Sequence, residues 1–203
     1  MASDPANGHL YVVEGTASRN SRIDEFTAWG EFVKAWGWGV KDGAGEPQTC
    51  TEQTGCLPGL KGGGAGELSQ SQGIAVDSKG GIYVFDGENH RVQKFDRKGD
   101  FVLAFGGDVN KSKAEAGGAS EAERNLCTAT SGDVCQAGSA GAGNGQFAEG
   151  KLCLYEGVGP GITIAEVATF EFPVGTITST GAYMTAACAE ACEWQGVWAV
   201  TAG

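Results

Sequence analysis

The stretch Gly73–Gly107 reads GIAVDSKGGIYVFDGENHRVQKFDRKGDFVLAFGG, and its pattern decides how the remainder of the chain is read. Four short runs of strand character, Gly73–Asp77, Gly81–Asp86, Arg91–Asp96 and Phe101–Gly106, are separated by Gly, Asn, Lys and Asp clusters that favour tight turns. Such runs with such connections predict a four-stranded antiparallel meander. Within the second run Ile82 and Val84 alternate with Tyr83 and Phe85. Both faces are therefore apolar, which suits a small sheet packed between two similar sheets.

Upstream, the same pattern recurs. Asn20, Arg22, Phe26, Gly30, Phe32, Trp36 and Gly37 each stand 69 positions before Asn89, Arg91, Phe95, Gly99, Phe101, Phe105 and Gly106. Ala2-Ser3-Asp4 through Leu10-Tyr11-Val12 aligns with Ala75-Val76-Asp77 through Ile82-Tyr83-Val84 with one residue inserted, so the chain is expected to begin inside the first strand of a repeat. The spacing exceeds one bare sheet because a Gly-rich stretch, 41–66, follows the first copy, and a comparable stretch, 110–145, follows the second. Both carry a cysteine pair, Cys50-x5-Cys56 and Cys127-x7-Cys135, and both run through Gly-Ala-Gly toward an apolar residue, Leu68 or Phe147. One decorated loop used twice is the natural reading. It is expected to project from the rim of the sheets, where long connections carry recognition surfaces, although Gly-rich runs such as Gly62–Gly66 read locally as flexible connection.

A third copy begins well and then decays. Gly161–Glu166 matches Gly81–Asp86, and Gly181–Met184 matches Gly99–Val102, but the Asn-x-Arg element between them is missing. The resulting organisation is a first unit at 1–40, an insertion at 41–66, a complete unit at 67–109, a second insertion at 110–145, a degenerate unit at 146–184 and an Ala- and Cys-rich tail at 185–203.

The segment Gly81-Ile82-Tyr83-Val84, Asp86, Asn89, Arg91-Val92, Phe95, Gly99 and Phe105-Gly106 resembles an NHL repeat, the blade unit of a class of β-propellers. The resemblance implies an all-β partial β-propeller of about three four-stranded antiparallel blades with Gly-rich inserted loops. It also implies a binding or scaffolding role. Some similar propellers instead carry lactonase, esterase or lyase chemistry on groups lining the channel, so fold does not decide function. The inner strand Ile74–Asp77 offers only Asp77 to such chemistry. A gene fragment without independent function is the third alternative.

The net charge of −11 argues against nucleic acid or an anionic membrane surface as partner, because either requires a basic patch. No signal peptide and no membrane-spanning segment is visible. The polar set Asp86, Asn89 and Arg91, repeated in part as Glu14, Asn20 and Arg22, reads as a structural turn device, since its recurrence suits a fold element better than a catalytic one; each lost turn bond is worth about 1 kcal/mol. His9 and His90 are expected in exposed turns. Trp36 aligns with Phe105 as core, which leaves Trp29 and Trp38 as candidate contacts for an unknown protein or carbohydrate ligand. No catalytic residue, metal site or cofactor is assigned. Cys50–Cys56 and Cys127–Cys135 are expected to be disulfides, and these pairs suggest an extracellular or cell-surface setting. Cys153, Cys188 and Cys192 stay unassigned. About three blades would leave two apolar end faces open, which favours self-association or completion by flanking blades.

Overall fold

The computed structural model describes residues 1–14 and 20–147, together with the backbone of four short strands farther on. Two antiparallel meanders form the body. The first contains β1 (Ala2–Ser3), β2 (Leu10–Val13), β3 (Arg22–Phe26), β4 (Phe32–Trp38) and β5 (Pro47–Cys50), paired in chain order. The second contains β6 (Ser71–Val76), β7 (Ile82–Asp86), β8 (Arg91–Phe95), β9 (Phe101–Phe105) and β10 (Leu126–Thr128), also in order. Each sheet therefore has five strands, one more than the pattern predicts. The extra outer strand comes from the insertion, where Cys50 pairs with Ala35 and Cys127 with Ala104.

The insertions are built alike up to a difference in length. Leu57 N–H donates to Val40 O and Leu60 N–H to Trp38 O; Gln136 N–H donates to Val109 O and Ser139 N–H to Gly107 O. Equivalent residues stand 69 apart before the cysteine loops and 79 apart after them. The surplus in the second insertion folds as two short helices, α1 (Lys111–Ala116) and α2 (Glu121–Arg124). Asn110 caps α1, and Ser120 with Glu123 forms a capping box on α2.

Of the stretch 146–184, expected from the sequence to be a degenerate third unit, the structure describes Gln146 and Phe147 and two small antiparallel pairs: β11 (Leu154–Tyr155) with β14 (Ala182–Tyr183), and β12 (Thr169–Phe172) with β13 (Gly175–Thr178). The tail at 185–203 lies outside the described residues, as do Cys153, Cys188 and Cys192.

The core lies between the two sheets. Tyr11, Ile23 and Trp36 of the first meet Ile74, Val76, Ile82, Val84 and Phe95 of the second, with Leu68 in the same cluster. The packing is head to tail. Strand register makes Leu10, Val12 and Phe26 the counterparts of Ile82, Val84 and Phe95, so the covered face of the second sheet copies the outward face of the first. Ile82, Val84 and Phe95 are 0%, 0% and 2% exposed, whereas Leu10, Val12 and Phe26 are only half-buried. On the far face of the second sheet Phe147 stands edge-on to Phe85 at 5.7 Å and tilted on Phe105 at 6.3 Å. It takes the place there that Leu68 takes beside Trp36.

Polar contacts lock the joint. Arg97 grips the buried Asp4 carboxylate with Nε at 2.6 Å and a terminal nitrogen at 3.0 Å, and Lys34 Nζ donates to the carbonyls of Arg97 and Lys98 at 2.8 and 3.0 Å. Hydrogen bonding to Arg97 holds the Asp4 carboxyl below the usual aspartate value.

Gly99 and Gly30 report the same asymmetry. Both have positive φ, +95° and +83°, but a Cβ on Gly99 would lie 2.6 Å from the Trp36 ring while one on Gly30 would meet nothing within 4 Å. Gly30→Ala should cost only backbone strain, about 1–2 kcal/mol, and Gly99→Ala about 1–3 kcal/mol more from overpacking, readable in urea melts of the dilute chain. For Asp4, whose folded pKa is depressed, the stabilisation is complete above the unfolded value of 3.8 and lost as pH falls through the folded value. Asp4→Asn should therefore lower the melting temperature at neutral pH and flatten its decline below about pH 4, as followed by calorimetry.

Candidate functional site

The β7–β8 turn carries the most concentrated polar chemistry in the described chain. Asp86 ends β7 and pairs across the hairpin with Arg91, the first residue of β8. Between them His90 adopts the left-handed region, with φ +47°. The Asp86 carboxylate is fully buried and accepts four hydrogen bonds. Oδ1 takes the Ser69 N–H at 2.6 Å, and Oδ2 takes Asn89 Nδ2 at 2.9 Å, Arg91 Nε at 3.0 Å and Gln93 Nε2 at 3.0 Å.

Arg91 is equally buried, and all five of its N–H groups are used. Nε serves Asp86; one terminal nitrogen donates to Gly63 O at 2.7 Å and Gln136 O at 2.9 Å, the other to Gly64 O at 2.8 Å and Glu67 O at 2.7 Å. Asn89 adds a bond to Gly62 O at 2.7 Å and Gln93 one to Glu67 O at 2.6 Å. Gly62–Glu67 is therefore not a flexible connection. It is a wall of carbonyls held against the next sheet, and Gly64 N–H is itself tied back to the Glu67 carboxylate at 2.6 Å. Burial pushes the Asp86 carboxyl up, against the pull of Arg91 and Asn89, and burial pushes the Arg91 guanidinium down, against Asp86.

The first-sheet counterpart is looser. Asn20 Nδ2 donates to Glu14 at 2.7 Å, Arg22 Nε lies 3.1 Å from Asp24, and a terminal nitrogen of Arg22 donates to Leu57 O at 3.0 Å. Arg22 stands only 3.6 Å from Glu14 and keeps 17% of its side chain exposed, against 0% for Arg91. Among the described residues no carbonyl wall faces it.

Asp77, the inner-strand residue on which an enzymatic reading rests, closes its own turn. Its Oδ1 accepts from Lys79 N–H and Gly81 N–H at 2.9 and 2.7 Å, and its Oδ2 from Lys94 Nζ at 3.2 Å and Tyr83 OH at 3.3 Å. Burial alone would raise this carboxyl, but the Gly81 N–H and the Lys94 ammonium outweigh it and leave it below the usual value. His9 is not a free turn residue as the sequence suggests: its Nδ1 lies 2.6 Å from Glu25 Oε1, and the ring is partly buried. Among the described residues no three His, Cys, Asp or Glu side chains stand together as a metal site.

The two tryptophan candidates part company. Trp29 projects from the β3–β4 turn, 90% exposed, where Thr27 Oγ1 accepts from the N–H groups of Trp29 and Glu31. Trp38 is half-buried at the joint, its indole N–H directed to Ala65 O at 3.3 Å. Each insertion is closed by a disulfide, Cys50–Cys56 and Cys127–Cys135, with Cα atoms 5.4 and 5.6 Å apart. The first loop borders an open groove lined by Glu31, Phe32, Thr51, Glu52, Gly55 and Cys56. Leu57 and Leu60 on the first loop and Val134 on the second are exposed. These apolar tips escaped the sequence reading because an isolated Leu or Val in a Gly-rich run carries no periodic signal.

Comparison with known proteins places this geometry. Residues 68–95, from the end of the first carbonyl wall to the end of β8, match the family description of the NHL repeat. The chain is also similar to protein lin-41 of Caenorhabditis elegans, 48% identical over 44 residues, which is 22% of this chain and 4% of that protein.

Removal of one partner from a buried ion pair costs about 3–5 kcal/mol, whereas a partly solvated pair costs about 1 kcal/mol or less. Arg91→Ala should thus destabilise the chain several times more than Arg22→Ala in parallel guanidinium titrations. Equal losses would show that the carbonyl wall adds nothing to the Arg91 site.

Proposed function

We propose that this chain is a non-catalytic binding module of propeller type, in which stacked sheets form the scaffold and the disulfide-closed outer loops carry the ligand contact. The reading extends to three blades, the third supplied by the degenerate unit, and to an oxidising, extracellular or cell-surface setting, for which the two cysteine pairs are the support. A single observation carries it: the Asp86–Asn89–Arg91 constellation, the one with the look of a reactive site, is consumed in holding sheets and insertions together, while three of the exposed large apolar residues among those described, Leu57, Leu60 and Val134, lie in the insertions. A protein partner fits best, since Leu57, Leu60 and Val134 offer apolar contact rimmed by polar backbone. Trp29, solvent-exposed on the same sheet as the first loop, favours a carbohydrate or peptide contact as the second reading.

Paired Cys→Ser variants test the assignment. Replacing Cys50 with Cys56, or Cys127 with Cys135, should cost about 2–3 kcal/mol of stability, as expected for short closed rings, yet leave a folded chain. On arrays of extracellular protein domains and glycans, a ligand held by the parent should be lost by one or both loop variants and, where glycan, by Trp29→Ala. Turnover of lactone or aryl-ester substrates that disappears in Asp77→Asn would overturn the binding-module reading in favour of a hydrolase.

A further inference from the structure

We propose that Asn110-Lys111-Ser112 is a glycan acceptor that closure of the Cys127–Cys135 ring switches off, so that N-linked glycan reaches only a chain whose second cysteine loop is still open. This rests on the reading of an exported chain in an oxidising compartment, where disulfide formation and glycan transfer occur together.

The triplet is the single Asn-x-Ser/Thr sequence in the chain, and such a triplet in an exported protein ordinarily marks a surface loop. Here it does not. Asn110 is 2% exposed. Its Nδ2 donates to Leu126 O at 3.1 Å and to Asp133 Oδ2 at 2.9 Å, and its Oδ1 accepts from Lys113 N–H at 3.1 Å. Both amide hydrogens are thereby used. The backbone is tied as firmly: Asn110 N–H donates to Arg124 O at 2.9 Å, and Asn110 O accepts from Ala114 N–H at 2.9 Å. Ser112, the other residue of the triplet that a transferase must engage, accepts the Val134 N–H on its hydroxyl at 2.9 Å.

The partners that decide access come from the ring. Leu126 precedes Cys127, Asp133 and Val134 precede Cys135, and Asn110 forms a bridge with Cys135 itself. Val109, Cys127 and Cys135 make one buried apolar cluster, so the disulfide packs against the residue before the acceptor. Transfer joins the Asn110 amide nitrogen to the anomeric carbon of a glycan carried on a lipid diphosphate; the C–O bond to the diphosphate breaks, and one amide proton leaves to solvent. Both amide protons are held by Leu126 O and Asp133 in the closed ring, and a bulky glycan has no room at so buried a side chain. Ring closure and transfer therefore exclude each other. A chain modified first would also lose Gln136 O, next to Cys135, as a partner for the buried Arg91, so the order of the two events decides whether the joint between the sheets forms in full. The first insertion has no such device, since an exposed lysine, Lys41, stands where Asn110 does.

The full chain, either folded and oxidised or reduced and alkylated, is offered to an oligosaccharyltransferase with its lipid-linked glycan, and modification is read as a mass shift that a glycan-releasing amidase reverses. The reduced chain should be modified at Asn110, and not when it carries Ser112→Ala, while the folded chain reacts at least about tenfold more slowly. Cys127→Ser with Cys135→Ser should react like the reduced chain, whereas Cys50→Ser with Cys56→Ser, which gives up a similar ring elsewhere, should stay as protected as the parent. Hydrogen exchange of the Cys127→Ser, Cys135→Ser variant should show opening confined to Asn110–Gln136. Opening that spreads through both sheets would show that the whole fold, and not the ring, guards the acceptor. A reduced chain that stays unmodified, a folded parent modified at the reduced chain's rate, or equal reaction of the two paired variants would each overturn the proposal. Free thiols at both cysteine pairs in chain secreted from a eukaryotic host would sink the exported setting as well; intact disulfides beside a modified folded chain would sink this inference alone.

Discussion

One guanidinium fixes the arrangement of three stretches that are far apart in sequence. Arg91 joins the end of β7 through Asp86, the first insertion and the residue that follows it through Gly63, Gly64 and Glu67, and the second insertion through Gln136. Taking an ion pair out of water costs several kcal/mol per ion, which is offset only when every donor and acceptor is satisfied. Here the requirement is met in full, so the pair specifies geometry more than it adds stability: any other register between wall and hairpin would strand a buried charge. The wall must be glycine-rich for the same reason. Its carbonyls have to turn toward Arg91 at close approach, and a Cβ on Gly62 would run into the Glu67 carboxylate.

The first sheet shows how the same device behaves without its wall. Arg22 reaches Asp24 and the Leu57 carbonyl, stands 3.6 Å from Glu14 and keeps 17% of its side chain exposed. The difference between the two sites lies in what stands in front of them, since Asn20 and Arg22 repeat Asn89 and Arg91 residue for residue. Glu14 replaces Asp86 with a longer carboxylate, and Asp24 replaces Gln93 with a second one. Beside Glu14, burial pushes the Asp24 carboxyl up while Arg22 pulls it down. A cation shared between two carboxylates tolerates partial solvation better than a single ion pair sealed from water.

Much of this was legible in the sequence because period-two alternation and Gly-Asn-Asp turns act locally. The four runs between Gly73 and Gly106 fall within two residues of β6 to β9, and the 69-residue spacing places Arg22 opposite Gly37. What escaped is what depends on partners. Pro47–Cys50 has no alternation, and Leu126–Thr128 is too short to show one; both are strands because β4 and β9 offer them an edge. The Gly62–Gly66 run looks flexible by composition, since nothing in glycine itself announces that its carbonyls will be claimed by an arginine 27 or 28 residues away. Trp29 and Trp38 look alike as letters, and only the position of the wall separates a joint residue from an exposed one.

The outer strands have a consequence for how such a chain avoids fibres. A sheet can recruit another chain along its edge or across its face, and an open edge is the more dangerous route because any extended peptide can add to it. β5 presents Pro47, which cannot donate to a newcomer, and the disulfide after Cys50 folds the chain back at once; β10 is three residues long and ends in the second cysteine loop. Strand addition is thereby discouraged at both outer margins.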